Sequence, residues 1–258
     1  MDLHDCSELA NVDGLQGNFN LTSLDMSGCS KLANVDGLQG NFNLTSLEMS
    51  GCSKLANVDG LKGLSSLTNL DLESCSNLYN VDGLNGLTNL QKLNLRNCSS
   101  IANVDGLKGL TRLQTLDLIT CSALTNLSGL QGLTSLTDLS IGYGSSLANV
   151  DGLKALTNLQ TLGLYDFFPL TNIDELNGLT KLRQLSIIGC TNLANVNGLN
   201  SLTNLQWLDL NSCTNLANVD GINGLTNLQY VYLKGTHVMP EAVNRLRQNL
   251  PKATIDYP

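Results

Sequence analysis

The sequence predicts an α/β repeat solenoid. It reads as a curved right-handed arc with a parallel β-sheet on its concave face, mostly 3-10 turns or coil on its convex face, and a capping helix at its C-terminal end. Three observations carry this. Residues 9–31, LANVDGLQGNFNLTSLDMSGCSK, return at 32–54 with Asp25 replaced by Glu48 as the single change. A period of 23 residues then continues through the 258-residue chain. Within each period, apolar positions two apart form columns that persist from repeat to repeat, which is the alternation of a short strand with one buried face.

The strands come first. One apolar column runs from Leu24 and Leu47 through Leu208 to Val231, and a second, two residues on, from Met26 and Met49 through Leu210 to Leu233. Stacked in sequence order, these strands make a parallel sheet with right-handed connections. A single repeat cannot bury its own apolar face, so each shares it with its neighbours.

The return half of each period reads V-D-G-L-x-G-L, as in residues 58–64. Glycines at 60 and 63 weaken an α-helix, so 3-10 turns or coil are expected there. The Asp column (Asp13, Asp36, Asp59, Asp82, Asp105, Asp151, Asp174, Asp220) sits where N-caps would sit. A row of carboxylates also suits calcium. Ser128 and Asn197 fill the two remaining slots, and both are capping residues but poor calcium ligands, which favours capping. The Asn column from Asn11 to Asn218 is unbroken over ten repeats and reads as a ladder that satisfies turn backbone groups. Four N-x-S/T sequons, at Asn20, Asn43, Asn97 and Asn126, carry little weight; Asn126 belongs to that ladder.

Two places depart from the pattern. Asn18–Phe19 and Asn41–Phe42 stand where later repeats have Leu64–Ser65 and Leu87–Thr88, and Phe is expected to take the place of the missing Leu in the core. In the eighth repeat, Phe167, Phe168 and Pro169 predict a local irregularity after the strand.

The repeat array is assigned to residues 1–236, about ten to eleven repeats, and a cap to 237–258. Pro240 opens a segment with Ala242, Val243, Leu246 and Leu250 on one helical face; Pro251 closes it and 253–257 can add a last strand. The N-terminal end shows no such cap. This reads as a fragment of a longer protein, with pairing of that open edge into a dimer as the alternative to a monomer.

The formal charge is −8, with 14 Lys and Arg against 22 Asp and Glu. No basic cluster offers itself to a nucleic-acid backbone or an anionic membrane. No apolar run approaches a membrane span, and the acidic start MDLHDCSE is not a signal peptide. A cytoplasmic location is therefore expected. All eight cysteines (Cys6, Cys29, Cys52, Cys75, Cys98, Cys121, Cys190, Cys213) occupy one column, with Gly144, Phe167 and Thr236 in its other slots. Stacked Cβ vectors point in parallel and oppose disulfides, so free buried thiols are expected. No C-x-x-C spacing suggests a metal, and His4 and His237 lie in different columns.

The concave positions carry the functional signal. The residue between the two strand apolars is acidic in the first half (Asp25, Glu48, Asp71, Asp117) and Ser, Gly or Tyr in much of the second. Against that background stand bulky groups: Trp207 and Tyr230 share a column with Tyr232 beside them, and Tyr165 and Ile188 share another with Tyr143 nearby. The chain has one Trp and eleven aromatics in all, and Trp and Tyr dominate interface hot spots. The alternative is that wide side chains shield the sheet near its cap. The candidate ligand site is Tyr143, Tyr165, Ile188, Trp207, Tyr230 and Tyr232, rimmed by Asp209, Asn211 and Lys234. The acidic stripe Asp25, Glu48, Asp71 and Asp117 would steer a basic partner. Catalysis has no foothold: no phosphate loop, H-E-x-x-H or G-x-S-x-G is present, no cofactor is implied, and the Asp column is on the wrong half of each turn to act with concave groups.

The pattern L-x-x-L-x-L-x-x-C-x-x-L, clean in residues 205–216 as LQWLDLNSCTNL, resembles a leucine-rich repeat with Cys where that family often has Asn. The repeats are also similar to those of bacterial internalins and of cysteine-containing protozoan proteins. The resemblance implies a non-enzymatic protein-interaction module that grips a protein or peptide on its concave face. It leaves open the recognition arm of a larger enzyme or ligase, a surface adhesin, and a designed array, although the decayed later repeats favour duplication over design.

Overall fold

The structure, a computed structural model, describes residues 1–144, 146–147 and 149–257. Eleven parallel strands follow one another in sequence order in a single sheet. They are β1 (Ser23–Asp25), β2 (Ser46–Glu48), β3 (Asn69–Asp71), β4 (Lys92–Asn94), β5 (Thr115–Ile119), β6 (Asp138–Gly142), β7 (Thr161–Tyr165), β8 (Gln184–Ile188), β9 (Trp207–Asp209), β10 (Tyr230–Tyr232) and β11 (Thr254–Asp256). Each residue pairs with its counterpart one period away in the repeats, as Leu24 with Leu47 and Leu208 with Val231. The arc is that of a leucine-rich-repeat solenoid. Its core is a ribbon of stacked Leu, Val, Ile, Met and Cys, most with no exposed surface.

Ten 3-10 turns, from Asp13–Leu15 to Asp220–Ile222, form the outer side. The spacing is set by glycine: a Cβ on Gly60 would collide with the Val35 carbonyl oxygen of the preceding repeat. Where Glu175 replaces this glycine, a cleft of about 190 Å³ lies between the seventh and eighth repeats, lined by Asp151, Pro169, Asn172 and Glu175 among others. Phe167 fills the Cys slot of the core, while Phe168 is 54% exposed.

The capping assignment changes hands. In all ten turns the first residue, Asp, Ser or Asn, donates its backbone N–H to the Asn side chain two positions earlier, as Asp59 N to Asn57 Oδ1 at 3.0 Å. The Asp residues begin the turns and the N-cap residues before them are apolar. The Asn ladder therefore does the capping expected of the Asp column. Two of the free carboxylates pair with lysines one turn on, Asp59 with Lys62 at 2.8 Å and Asp105 with Lys108 at 2.9 Å.

Phe19 and Phe42 are not in the core, contrary to expectation; they are 61% and 52% exposed. The 23-residue register holds, so Asn41 enters the Leu64 slot fully buried. Its Nδ2 donates to the carbonyls of Leu15 at 3.1 Å and Leu38 at 3.0 Å, while its Oδ1 has no partner. Two hydrogen bonds retain the register that a one-residue slip to bury Phe42 would break.

At the C-terminal end, the helix α1 (Pro240–Asn249) buries Val243 and Leu246, and β11 pairs with β10. The eight cysteines are unpaired; Cys6 is exposed and seven are buried. Buried thiols donate across the stack, Cys52 to the Met26 carbonyl at 3.3 Å and Cys98 to that of Leu72 at 3.1 Å.

Candidate functional site

The outward face of the sheet has three rows of side chains: the first strand position, the middle one, and one two residues beyond it. The middle row is more than a charge stripe. Each Asp or Asn there accepts the backbone N–H two residues on: Asp25 from Ser27 at 2.8 Å, Asp71 from Glu73 at 2.8 Å, Asp117 from Ile119 at 2.8 Å and Asp209 from Asn211 at 2.9 Å. The bond from Ser27 holds the Asp25 carboxyl below its usual range. Glu48, one carbon longer, is not seen to make this bond. Burial, then the neighbouring Asp71, push its carboxyl up. The strands β5–β8 run five residues instead of three; β5 keeps Asp117, and in β6–β8 Ser140, Gly163 and Ser186 replace the acid.

The acidic stripe borders a concavity of about 350 Å³ over β3–β5, lined by Glu48, Asn69, Asp71, Lys92, Asn94 and Asp117. Asp117 has Arg96 at 3.6 Å, so its charge is partly answered within the chain.

The bulky residues fall into two groups on opposite margins. Trp207, in the first row of β9, lies 5.1 Å from Tyr230 and 4.9 Å from Tyr232 between ring centroids, with tilts of 45° and 39°. Trp207 and Tyr230 are 36% and 41% exposed. Tyr165, in the last row of β7, stacks on Tyr143 at 5.4 Å and 6°, and pairs in register with Ile188. The Tyr165 ring lies across Gly163, where a Cβ would sit 2.5 Å from its hydroxyl. Burial, then Tyr143, push the Tyr165 phenol up. The structure thus brings Trp207, Tyr230 and Tyr232 together, and Tyr143, Tyr165 and Ile188 together, as separate groups.

Tyr143 is held at a φ of 53°. Its equivalents in other repeats are Gly28, Gly51, Gly189 and Gly235, or small polar residues such as Ser74 and Asn97. A bulky residue in this left-handed conformation costs roughly 1–2 kcal/mol. The sign of this cost in the sequence is the column itself, which Gly, Asn, Asp and small hydroxyl residues fill in the other repeats.

The rim residues are largely committed to the fold. Lys234 Nζ pairs with Asp256 Oδ2 at 2.9 Å, and the Asn211 side chain accepts the Lys234 N–H. Asp209 is half-buried, and burial pushes its carboxyl up. Among the described residues, no group of three His, Cys, Asp or Glu side chains is placed to hold a metal.

A family model described as a leucine-rich repeat region matches residues 43–245. The comparison with curated proteins found no match. Among solved structures, the chain is similar to the internalin InlF of Listeria monocytogenes, at 22% identity and a TM-score of 0.54 over 93% of this chain and 83% of that one. A second internalin of the same organism gives 27% identity and 0.58 over 83% and 80%. The leucine-rich repeat domain of the type III effector XopL gives 26% and 0.64 over 76% and 70%. Together with the stacked strands and turns, the family match makes this chain a member of the leucine-rich repeat family, whose arc is a frame for protein interaction.

Proposed function

We propose that the chain is a non-enzymatic binding module that holds a protein or peptide ligand on its concave face, at the aromatic residues of the C-terminal half. The observation that carries this is the strained Tyr143 stacked on Tyr165. A bulky residue is kept at a left-handed position where glycine would fit, and its exposed ring stacks on Tyr165. Such strain belongs to sites of use. The exposed Trp207, the chain's single tryptophan, supports the same face. The acidic half would steer a basic partner toward it.

The XopL likeness, to a domain within an effector, favours a second reading: the recognition arm of a larger protein. Both readings place the ligand on the same face. The test is capture from the source organism's lysate with wild type and a Trp207→Ala/Tyr230→Ala variant, both shown to be folded by circular dichroism. A partner held by the first and lost by the second supports the site. A partner held equally by both moves the site elsewhere. For a purified partner, Trp207→Ala should cost about 2–4 kcal/mol of binding.

A further inference from the structure

Four residues on β9 and β10 form a square on the exposed face. Register pairs Trp207 with Tyr230 and Asp209 with Tyr232. Trp207 and Asp209 are the first and third residues of one strand, so they point the same way. Three corners of the square are aromatic rings, those of Tyr230 and Tyr232 set at 45° and 39° to Trp207, with Trp207 and Tyr230 exposed and Tyr232 part-buried. The fourth is a carboxylate.

That carboxylate is part-buried and keeps one oxygen for a ligand. Its Oδ1 accepts the Asn211 N–H. Among the described residues, no donor or cation reaches its Oδ2. The lysine of this corner, Lys234, is bound to Asp256 instead. Asp256 pairs in register with Tyr232 from the other side, so Tyr232 has an acid on each flank. Burial and the nearby Asp256 both disfavour the Asp209 anion. A cation placed beside it would relieve this. Aromatic faces attract cations through their quadrupole, most strongly when desolvated.

We infer that the square of Trp207, Asp209, Tyr230 and Tyr232 is the pocket for one basic side chain of the ligand, its cation over the rings and paired with Asp209. The inference rests on the reading that the concave face binds a protein or peptide, and it names the chemistry of the anchor. Arginine fits better than lysine, because a planar guanidinium stacks on rings while it forks to a carboxylate. The net charge of −8 and the acidic half of the face complement such a ligand.

Trp207 is the chain's single tryptophan, so its emission reports this square alone. The full chain is titrated into the millimolar range with an end-blocked Gly-Gly-Arg-Gly-Gly peptide and with its neutral citrulline counterpart. The expected result is a saturable change for arginine and at least tenfold weaker binding of citrulline. In Asp209→Asn, which keeps an acceptor for the Asn211 N–H, the arginine peptide should bind about tenfold more weakly with the circular dichroism unchanged. An absent response to arginine, an equal response to citrulline, or an unaffected Asp209→Asn variant overturns the inference. A parallel selection of displayed random peptides separates it from the underlying reading. Peptides enriched on wild type, lost on Trp207→Ala/Tyr230→Ala and free of basic residues would overturn the basic anchor but keep the face. No enrichment together with a silent arginine titration would overturn both.

Discussion

The side chain of Asn211 accepts the backbone N–H of Lys234 at 2.7 Å, across the boundary between two repeats. In five other repeats the equivalent N–H is taken by an Asp or Asn two residues earlier, as Arg96 N–H by Asn94. Tyr232 occupies that place here, and its phenol oxygen, at the far end of the ring, does not take this N–H. Asn211 from the preceding repeat supplies what the aromatic residue removed. Replacing it with Ala should destabilise the C-terminal repeats by about 1 kcal/mol. Hydrogen exchange should show faster exchange at the Lys234 amide; an unchanged rate would contradict the role.

Tyr143 and its backbone oppose each other. Tyr143→Gly should raise stability, by up to about 1–2 kcal/mol for the conformation less the lost stacking on Tyr165. If the aromatic face binds the ligand, the same change should weaken binding. Urea midpoints paired with calorimetric titration of the partner would expose the trade. A variant that loses stability would show that the stack outweighs the strain.

The buried thiols predict a pH dependence. Burial pushes Cys52 and Cys121 up to about 12, and Cys75 and Cys98 also upward. An unfolded thiol ionises near about 8.5. Below that pH both states are protonated and the stabilisation is fully present. Above it the unfolded chain sheds protons that the folded chain keeps, so stability falls as pH rises toward about 12. Each such thiol removes up to about 1.4 kcal/mol per pH unit in that window. The urea midpoint should drop steeply between about pH 8.5 and 10.5. At neutral pH a thiol reagent should modify Cys6 promptly and the seven buried thiols after unfolding. Rapid modification of several thiols in the folded chain would contradict the ladder.

Asn41 is a polar residue in a leucine slot, with one oxygen unsatisfied. Asn41→Leu restores the column and should stabilise the fold by about 1 kcal/mol, the cost of the stranded oxygen less the bonds lost from Nδ2. Destabilisation on thermal melting would mean that those bonds matter more.

The fold was legible because a repeat states its contacts many times over. Leu24, Leu47 and Leu70 announce the same core position whatever any one of them does alone, and the helix over 240–249 is marked by prolines at both ends. What stayed hidden depends on single exceptions. Phe42 looks like a core residue by type, and only the hydrogen bonds of Asn41 reveal that register outranks hydrophobicity there. Asp59 looks like a cap, but Asn57 lies in the better position for its N–H. The candidate residues and their two columns, Trp207 with Tyr230 and Tyr165 with Ile188, are legible from the period. The ring contacts are not, because a column fixes the row of a side chain and not its rotamer: Trp207 leans on Tyr232 as well as Tyr230, and Tyr143 lies flat on Tyr165.

The in-register ladder makes the concave face a ruler. Neighbouring strands stand about 4.8 Å apart and successive residues about 3.3 Å apart along each strand. From Tyr165 on β7 to Trp207 on β9 is two strands across and four positions back, which is roughly 16 Å on the diagonal. An extended ligand needs about five residues to cover it. A ligand lying squarely across the strands would touch one aromatic group and pass the other by, so the fixed register selects for direction and length as well as for chemistry.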